Sequence, residues 1–291
     1  MKKKLLLLLL GILSIAVSIP LNAYISWSPK KFNAAGINID WQKGKISSIG
    51  ISEIPTDEKG SPVDYENRNV ISINKGRLDA YKRARESAVQ KIINSMLSLR
   101  IDYENSLLNL IKSHRFTRNR LSQLISRRMK VSEYPVDFFQ SGCIAELKMG
   151  DLIHVLPYHY PSSDFPKIHN IEIETRYTGL IVDTRGLGIM PMVLPSIYNE
   201  DGLEIYSRYN VDIKWASKYG IVSYVHTESM ALKNRKAGNR PFYTVAVKES
   251  RGCPVLSTKD IRKIYSSRDT LKRLKKCNVI FIIDREKKIN K

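Results

Sequence analysis

Residues 277–284, with the sequence CNVIFIID, form the strongest buried-strand pattern in the chain. Five consecutive apolar residues within this stretch are typical of a strand that is covered on both faces. The preceding residues, 258–276, have the pattern of a basic helix that begins at a capping hydroxyl side chain. Further upstream, residues 171–183 begin with polar–apolar alternation and end in a second apolar run. We therefore predict a β-rich C-terminal domain, residues 166–291, that closes with a helix and a strand.

The first half of the chain has a helical pattern at its centre. Apolar residues recur every three or four positions within residues 75–113, which predicts one long amphipathic helix, and a second helix is expected over 117–129. Alternating residues over 131–149 predict a hairpin. Together these patterns indicate an α+β fold in which the helix packs on antiparallel strands across residues 24–165. The proline-rich stretch 157–166 marks the predicted boundary between the two domains.

The N-terminus has the three parts of a secretory signal peptide. Lysines at positions 2–4 precede a short apolar run, and the small residue Ala23 marks the expected cleavage point. An uncleaved anchor is the alternative for residues 1–23, because the apolar run is marginal for spanning a bilayer. In either form we expect an exported protein, in the periplasm or associated with the outer membrane. No cysteine lies at the cleavage point, so the lipid attachment site of a bacterial lipoprotein is missing.

The chain is strongly basic, with a formal charge of +20 that falls to +17 when the three signal lysines are removed. In an exported protein this charge favours an anionic membrane surface, a cell-wall polymer or acidic proteins as partners, and we expect no nucleic acid. The densest basic segment lies between Glu104 and Glu133. Its seven cations are Lys112, Arg115, Arg118, Arg120, Arg127, Arg128 and Lys130. Arginine pairs with phosphate and carboxylate, so this segment is a candidate recognition surface; a solvated helix face is the alternative.

Asp183 and Arg185 follow the apolar run at a predicted strand end, where functional residues often lie. They are therefore a candidate recognition spot. The alternative is a turn aspartate that bonds its own backbone, with Arg185 paired locally. The nearby glycines 179, 186 and 188 do not complete a dinucleotide fingerprint, and they favour tight turns instead.

The remaining candidate groups indicate no catalytic or cofactor chemistry. The spacing of His154 and His159 fits no metal site, and no nucleophile elbow is present, so we expect a protein without metal, cofactor or enzymatic activity. Three cysteines cannot all pair within one chain. An intrachain disulfide between Cys253 and Cys277 is the pairing that the sequence leaves open.

Several motifs occur in a distinctive order. They are SLRID at residues 98–102, TGLIVDTRGLG at 178–188, PSIYNEDGLEIY at 195–206 and LKKCNVIFIID at 274–284. This order resembles the exported bacterial family related to the Lpp-twenty-type outer-membrane lipoproteins and to flagellar assembly protein T, and residues 178–188 are its most specific part. The resemblance implies an α+β envelope protein without known catalytic residues, with envelope or flagellar proteins as partners. The missing lipidation cysteine is a departure from the lipoproteins.

From the residues and the resemblance together, we expect a non-catalytic periplasmic or cell-envelope protein with an assembly or structural role. The flagellar basal body enters this expectation through the resemblance alone. The alternative is a soluble periplasmic binding module that recognises an acidic wall polymer or a small anionic ligand.

Overall fold

The computed structural model describes residues 32, 33, 35–167 and 174–285, without the side chains of Arg115 and Phe116. The predicted signal segment 1–23 and its cleavage point at Ala23 lie outside the described residues. Among the described helices, none is both long and apolar enough to cross a bilayer. The α+β class is confirmed, because helices and several sheets alternate through the described residues.

The first half is built on a four-stranded antiparallel sheet with the order β1-β2-β4-β3. Its strands are β1 (Ile37–Asp40), β2 (Lys45–Glu53), β3 (Lys130–Pro135) and β4 (Gln140–Lys148). Strands β3 and β4 pair as an antiparallel hairpin from Lys130↔Glu146 to Pro135↔Ser141, as predicted.

Helix α1 (Ile73–Leu97) packs across this sheet through a stripe of small and apolar residues. The stripe is Ala80, Ala84, Ala88, Ile92 and Met96, all fully buried. Contact with β2 is close enough that the Ser48 hydroxyl donates to the Ala88 carbonyl oxygen at 2.5 Å. The helix begins where the Ser72 side chain accepts a hydrogen bond from the Lys75 N–H group. The predicted packing of a long helix on antiparallel strands is therefore confirmed.

The predicted extent of this helix, to residue 113, is wrong. The helix ends at Leu97, and the chain turns before α2 (Leu107–Ser113) and α3 (Arg115–Arg128). In the turn, the Asp102 side chain accepts the backbone N–H groups of Glu104 and Asn105 at 2.9 and 2.7 Å. Such local side-chain bonds compete with the helical hydrogen-bond ladder.

The second half contains two four-stranded sheets. The parallel sheet has the order β8-β12-β5-β9, and the mixed sheet has the order β10-β11-β6-β7. The strands are β5 (Leu180–Asp183), β6 (Ile197–Asn199), β7 (Glu204–Tyr206), β8 (Ser223–Val225), β9 (Phe242–Val245), β10 (Lys248–Ser250), β11 (Cys253–Leu256) and β12 (Val279–Ile282). Strand β12 is central in the parallel sheet and fully buried, as the apolar run at 279–283 predicts.

The described residues contain five further helices. They are α4 (Met149–Leu152), which follows β4, and α5 (Ile213–Tyr219), α6 (Glu228–Leu232), α7 (Thr258–Tyr265) and α8 (Arg268–Lys275) in the second half. The single helix predicted over 258–276 is divided in two, because Ser267 leaves the helical conformation and caps α8 through its side chain. The second half therefore contains more helices than the single C-terminal one that we predicted for it.

The two halves share one hydrophobic core. A single buried cluster includes Leu147 and Leu152 from the first half together with Val193, Val222 and Phe281 from the second. Backbone hydrogen bonds also cross between the halves, from Val193 N–H to the carbonyl oxygen of residue 100 at 3.0 Å and from Leu194 N–H to that of residue 101 at 2.7 Å. Residues 158–167, around the predicted boundary, have no helix or strand. The division into domains 24–165 and 166–291 stays a prediction.

Candidate anion-binding cleft

A cleft of about 510 Å³ opens at the junction of the two halves. The first half contributes the β1–β2 turn, the start of β3 and the end of β4 with α4; the second contributes the end of α5 and the residues before β8. Helices α4 and α5 meet so closely that a Cβ at Gly150 would lie 2.0 Å from the Ser217 carbonyl oxygen. The floor is apolar and buried; it includes Leu147, Met149, Ile153, Val193 and Val222.

Cations dominate the rim of this cleft. The lining contains Lys43, Lys45, Arg128, Lys130, Lys148, Lys218 and Arg235, against the two acids Glu146 and Asp151. Lys45 is ion-paired with Glu146, and Lys43 lies 3.9 Å from Asp40. Within the described part of the chain the other five cations form no ion pair, so the rim has an excess of positive charge.

One wall of the cleft is the aromatic ring of Tyr219 at the end of α5. The ring stacks on Trp215 with centroids 5.7 Å apart, and the Arg235 guanidinium carbon lies 3.5 Å from its centroid. The Lys218 ammonium lies 5.1 Å from the same centroid. A hydrogen bond with Lys218 lowers the pKa of the Tyr219 phenol from its usual 10.0, and the positive charges of Lys218 and Arg235 add to the effect. The phenol therefore lies in a positive electrostatic field at the cleft mouth.

Lys236 lies behind this wall and is only 4% exposed. Its ammonium group donates to the carbonyl oxygen of Gly220, a cleft residue, at 2.9 Å. Burial lowers the pKa of Lys236 from 10.5 to about 8, because removal from water disfavours the charged form. The protonated ammonium adds positive charge beneath the wall.

A pair of aromatic side chains separates this basic cleft from a second one. Trp41 and Tyr224 line both, and their rings meet edge to face with centroids 5.6 Å apart. The Tyr224 hydroxyl donates to the Met192 carbonyl oxygen at 3.0 Å, which fixes the pair. The second cleft, of about 490 Å³, lies near the C-terminal ends of the parallel strands and contains Asp40 and Asp284. Its lining also includes Arg285, so this second cleft lacks the excess of cations that the first one has.

The predicted pair Asp183 and Arg185 lies in neither cleft. The Asp183 carboxylate accepts the Arg185 Nε–H at 2.8 Å, a further guanidinium N–H, the Arg185 backbone N–H at 3.2 Å and the Tyr243 hydroxyl at 2.8 Å. These bonds, that from the Arg185 side chain above all, lower the pKa of Asp183, while burial and the hydrogen bond to Asp183 raise the pKa of Tyr243 to about 12. The contacts fit the alternative of a turn aspartate with a local arginine partner. Gly186 and Gly188 have positive φ angles of 81° and 67°, which supports the expected turns.

The predicted basic segment reaches the cleft at two of its seven cations. Arg128, the last residue of α3, lines it together with Lys130, whereas Arg118, Arg120 and Arg127 are exposed elsewhere on the helix. Arg115 begins the helix. The second-half cations Lys218 and Arg235 were not among the predicted site residues. Arg235 belongs to a short basic stretch, residues 233–240, but nothing in the local sequence relates it or Lys218 to Arg128. Only the fold brings them to Arg128.

The disulfide between Cys253 and Cys277 that the sequence left open is not formed, and all three cysteines are free and buried. Cys253 packs beside Met192 at the start of β11, whereas Cys277 precedes β12 and interacts with Tyr206 and Lys236. These are different places in the core. His154 and His159 are both exposed, and the described residues hold no group of side chains that suits a metal ion.

Comparison with known protein families gives a match within the second half of the chain. No curated protein matches the sequence. Residues 179–285, which run from the residue before β5 to the end of the described chain, match the family described as Treponema pallidum Tp0624, second domain.

Proposed function

We propose that this is an exported cell-envelope protein that acts by binding, in an assembly or structural role. The observation that carries the proposal is the basic cleft, in which five cations without ion pairs among the described residues face a space shared by both halves. The signal-like residues 1–23 and the excess of positive charge support an envelope location with anionic partners. The proposal includes the flagellar basal body because residues 178–188 resemble the family related to flagellar assembly protein T.

A binding role fits the contacts and the ionisation of Asp183, the acid that the sequence singles out. The Asp183 carboxylate accepts hydrogen bonds from Arg185 and Tyr243, and it lines neither of the two clefts. Its pKa is lowered, so it is ionised at neutral pH and is poorly suited to act as a general acid or base.

Fractionation of the native host tests the location and the partner. We would add a C-terminal tag, crosslink in the cell and identify the products by mass spectrometry. We expect an N-terminus at Tyr24 and recovery with outer-membrane or basal-body components. A tagged chain found free in the periplasm, with no crosslinked protein, contradicts the assembly role.

The flagellar part has its own test. Deletion of the gene is expected to reduce motility and to leave incomplete basal bodies in electron micrographs. Normal motility with normal basal bodies removes the flagellar part and leaves the envelope role to be judged by fractionation.

The second candidate function is a periplasmic binding module for an acidic wall polymer or a small anionic ligand. The size of the basic cleft favours it, because volumes of about 300–1,000 Å³ are usual for small-molecule sites. It predicts binding by the purified protein that weakens as salt is added.

A further inference from the structure

We infer that the basic cleft binds a small amphipathic anion, whose apolar ring or chain lies on the cleft floor and whose anionic group meets the cationic rim. This inference deepens the second candidate function and rests on it. The ligand is defined by two features of the site, an apolar floor and an excess of charge of one sign at the rim.

The floor requires an apolar partner. Met149, Ile153 and Val222 lie at the bottom of the cleft, with Trp41 on one side and Tyr219 on another. The aliphatic floor is itself buried, and the rings of Trp41 and Tyr219 are only half-buried. An ion such as phosphate leaves these rings in contact with water, whereas an aromatic ring or a short acyl chain covers them, with a gain of about 25 cal/mol for each Å² buried.

The rim requires an anionic partner. Lys218 and Arg235 flank the Tyr219 ring on the second half, and the first half contributes Arg128 and Lys148 to the same lining. These four cations form no ion pair with the described residues, and Asp151 is the one acid of the lining besides the paired Glu146. Because the cations come from both halves, a ligand's anionic group in the cleft contacts the two halves at once.

The cleft is better suited to a small molecule than to a long polymer. The exposed arginines Arg118, Arg120 and Arg127 lie outside it on α3, and a polymer would extend over that face. A volume of about 510 Å³ instead encloses a single small molecule.

The test uses the purified chain and anilinonaphthalene sulfonate, an amphipathic aromatic anion whose fluorescence rises on binding to an apolar surface. The neutral anilinonaphthalene reports the contribution of the floor alone, and inorganic phosphate reports that of the rim alone. We expect saturable binding of one sulfonate per chain, weaker binding of the neutral compound and still weaker binding of phosphate.

Charge reversal on each wall identifies the site. The variants are Lys218→Glu/Arg235→Glu on one wall and Arg128→Glu/Lys148→Glu on the other. The control is Lys259→Glu/Arg268→Glu, which makes the same change of net charge at exposed helical residues outside the cleft. We expect the dissociation constant for the sulfonate to rise about tenfold or more in each cleft variant, because two charges next to the ligand change sign, and to stay nearly constant in the control. Near-ultraviolet circular dichroism establishes that each variant keeps its fold.

An equal loss in the control, or equal affinity for the neutral compound and the sulfonate, overturns the inference. So does unchanged binding in both cleft variants. The assay needs neither export nor a partner, so its failure is distinct from failure of the envelope role, which fractionation decides.

Discussion

Lys236 is a buried cation whose ammonium group has one hydrogen bond, to the Gly220 carbonyl oxygen, among the described contacts. Its pKa is lowered to about 8, whereas the unfolded chain keeps the proton up to about 10.5. Between these values the unfolded state binds more protons, so the stability that Lys236 contributes increases as the pH rises from about 8 to 10.5. Below pH 8 both states are protonated, so the cost of burying the charged amine is present in full and does not change with pH.

The substitution Lys236→Met removes that pH dependence. We expect the unfolding free energy of the unchanged chain, relative to the variant, to increase from pH 8 to pH 10 by about 2 kcal/mol. Urea unfolding at several pH values measures the difference. Lys259→Met, at an exposed position, serves as the control and should show no such trend. A constant difference across this range for Lys236→Met contradicts the burial of a protonated amine.

Asp183 supports a different prediction, about the turn after β5. The substitution Asp183→Asn replaces a charged acceptor of several hydrogen bonds and leaves Arg185 without its ion pair. We expect a loss of about 1–3 kcal/mol in the unfolding free energy at pH 7. The loss should shrink in acid, because the lowered pKa of Asp183 means that its contribution disappears as the carboxylate is protonated. Glu86→Gln, on the exposed face of α1, is the matched control; similar losses in the two variants would exclude a specific role for Asp183.

At the scale of elements, the contact between α1 and β2 depends on Gly50. A Cβ at this position would lie 1.9 Å from the Ala84 carbonyl oxygen, within the helix backbone. We expect Gly50→Ala to reduce the unfolding free energy by about 3 kcal/mol, because the helix must move away from the sheet. Gly60→Ala has open space around its Cβ but a positive φ of 79°, and it should cost about 1 kcal/mol. Chemical denaturation compares the two, and a smaller loss at Gly50 contradicts the close packing.

Elements were predicted well where a periodic apolar pattern was long. The stripe from Ala84 to Met96 and the apolar run of β12 both appear as expected. The ends of helices were predicted less well, since they depend on single side chains. Asp102 closes a turn after α1, and Ser267 separates α7 from α8. Each of these bonds competes with a helix that the pattern alone would continue.

At the scale of the whole molecule, the continuous core predicts cooperative unfolding. Buried residues from both halves belong to one cluster, and Trp41 of the first half packs on Tyr224 of the second. We therefore expect tryptophan fluorescence and far-ultraviolet circular dichroism to report one coincident transition. Two well-separated transitions would show that the halves unfold independently.

The basic cleft was not predictable from local sequence. Its cations come from the β1–β2 turn, from the end of α3 through β4, from α5 and from the loop after α6, so no single window contains them. The charge run at 112–130 marks Arg128, and Arg235 belongs to a second basic stretch at 233–240, but neither run indicates that the two residues meet. The site forms where the two halves pack together. The periodicity of apolar residues along the sequence does not encode that packing.

Site-specific photocrosslinking from the cleft gives the sharpest test of its role. A photoreactive phenylalanine analogue would replace Tyr219 in the native host, which keeps an aromatic ring in the wall and every cation of the rim, with the same replacement at the exposed Tyr65 as the control outside the cleft. After irradiation, mass spectrometry of the intact protein identifies what has been captured. We expect a small-molecule adduct at position 219 and none at position 65. No adduct at 219, or equal capture at both positions, would contradict the claim that the cleft is the binding surface of this protein.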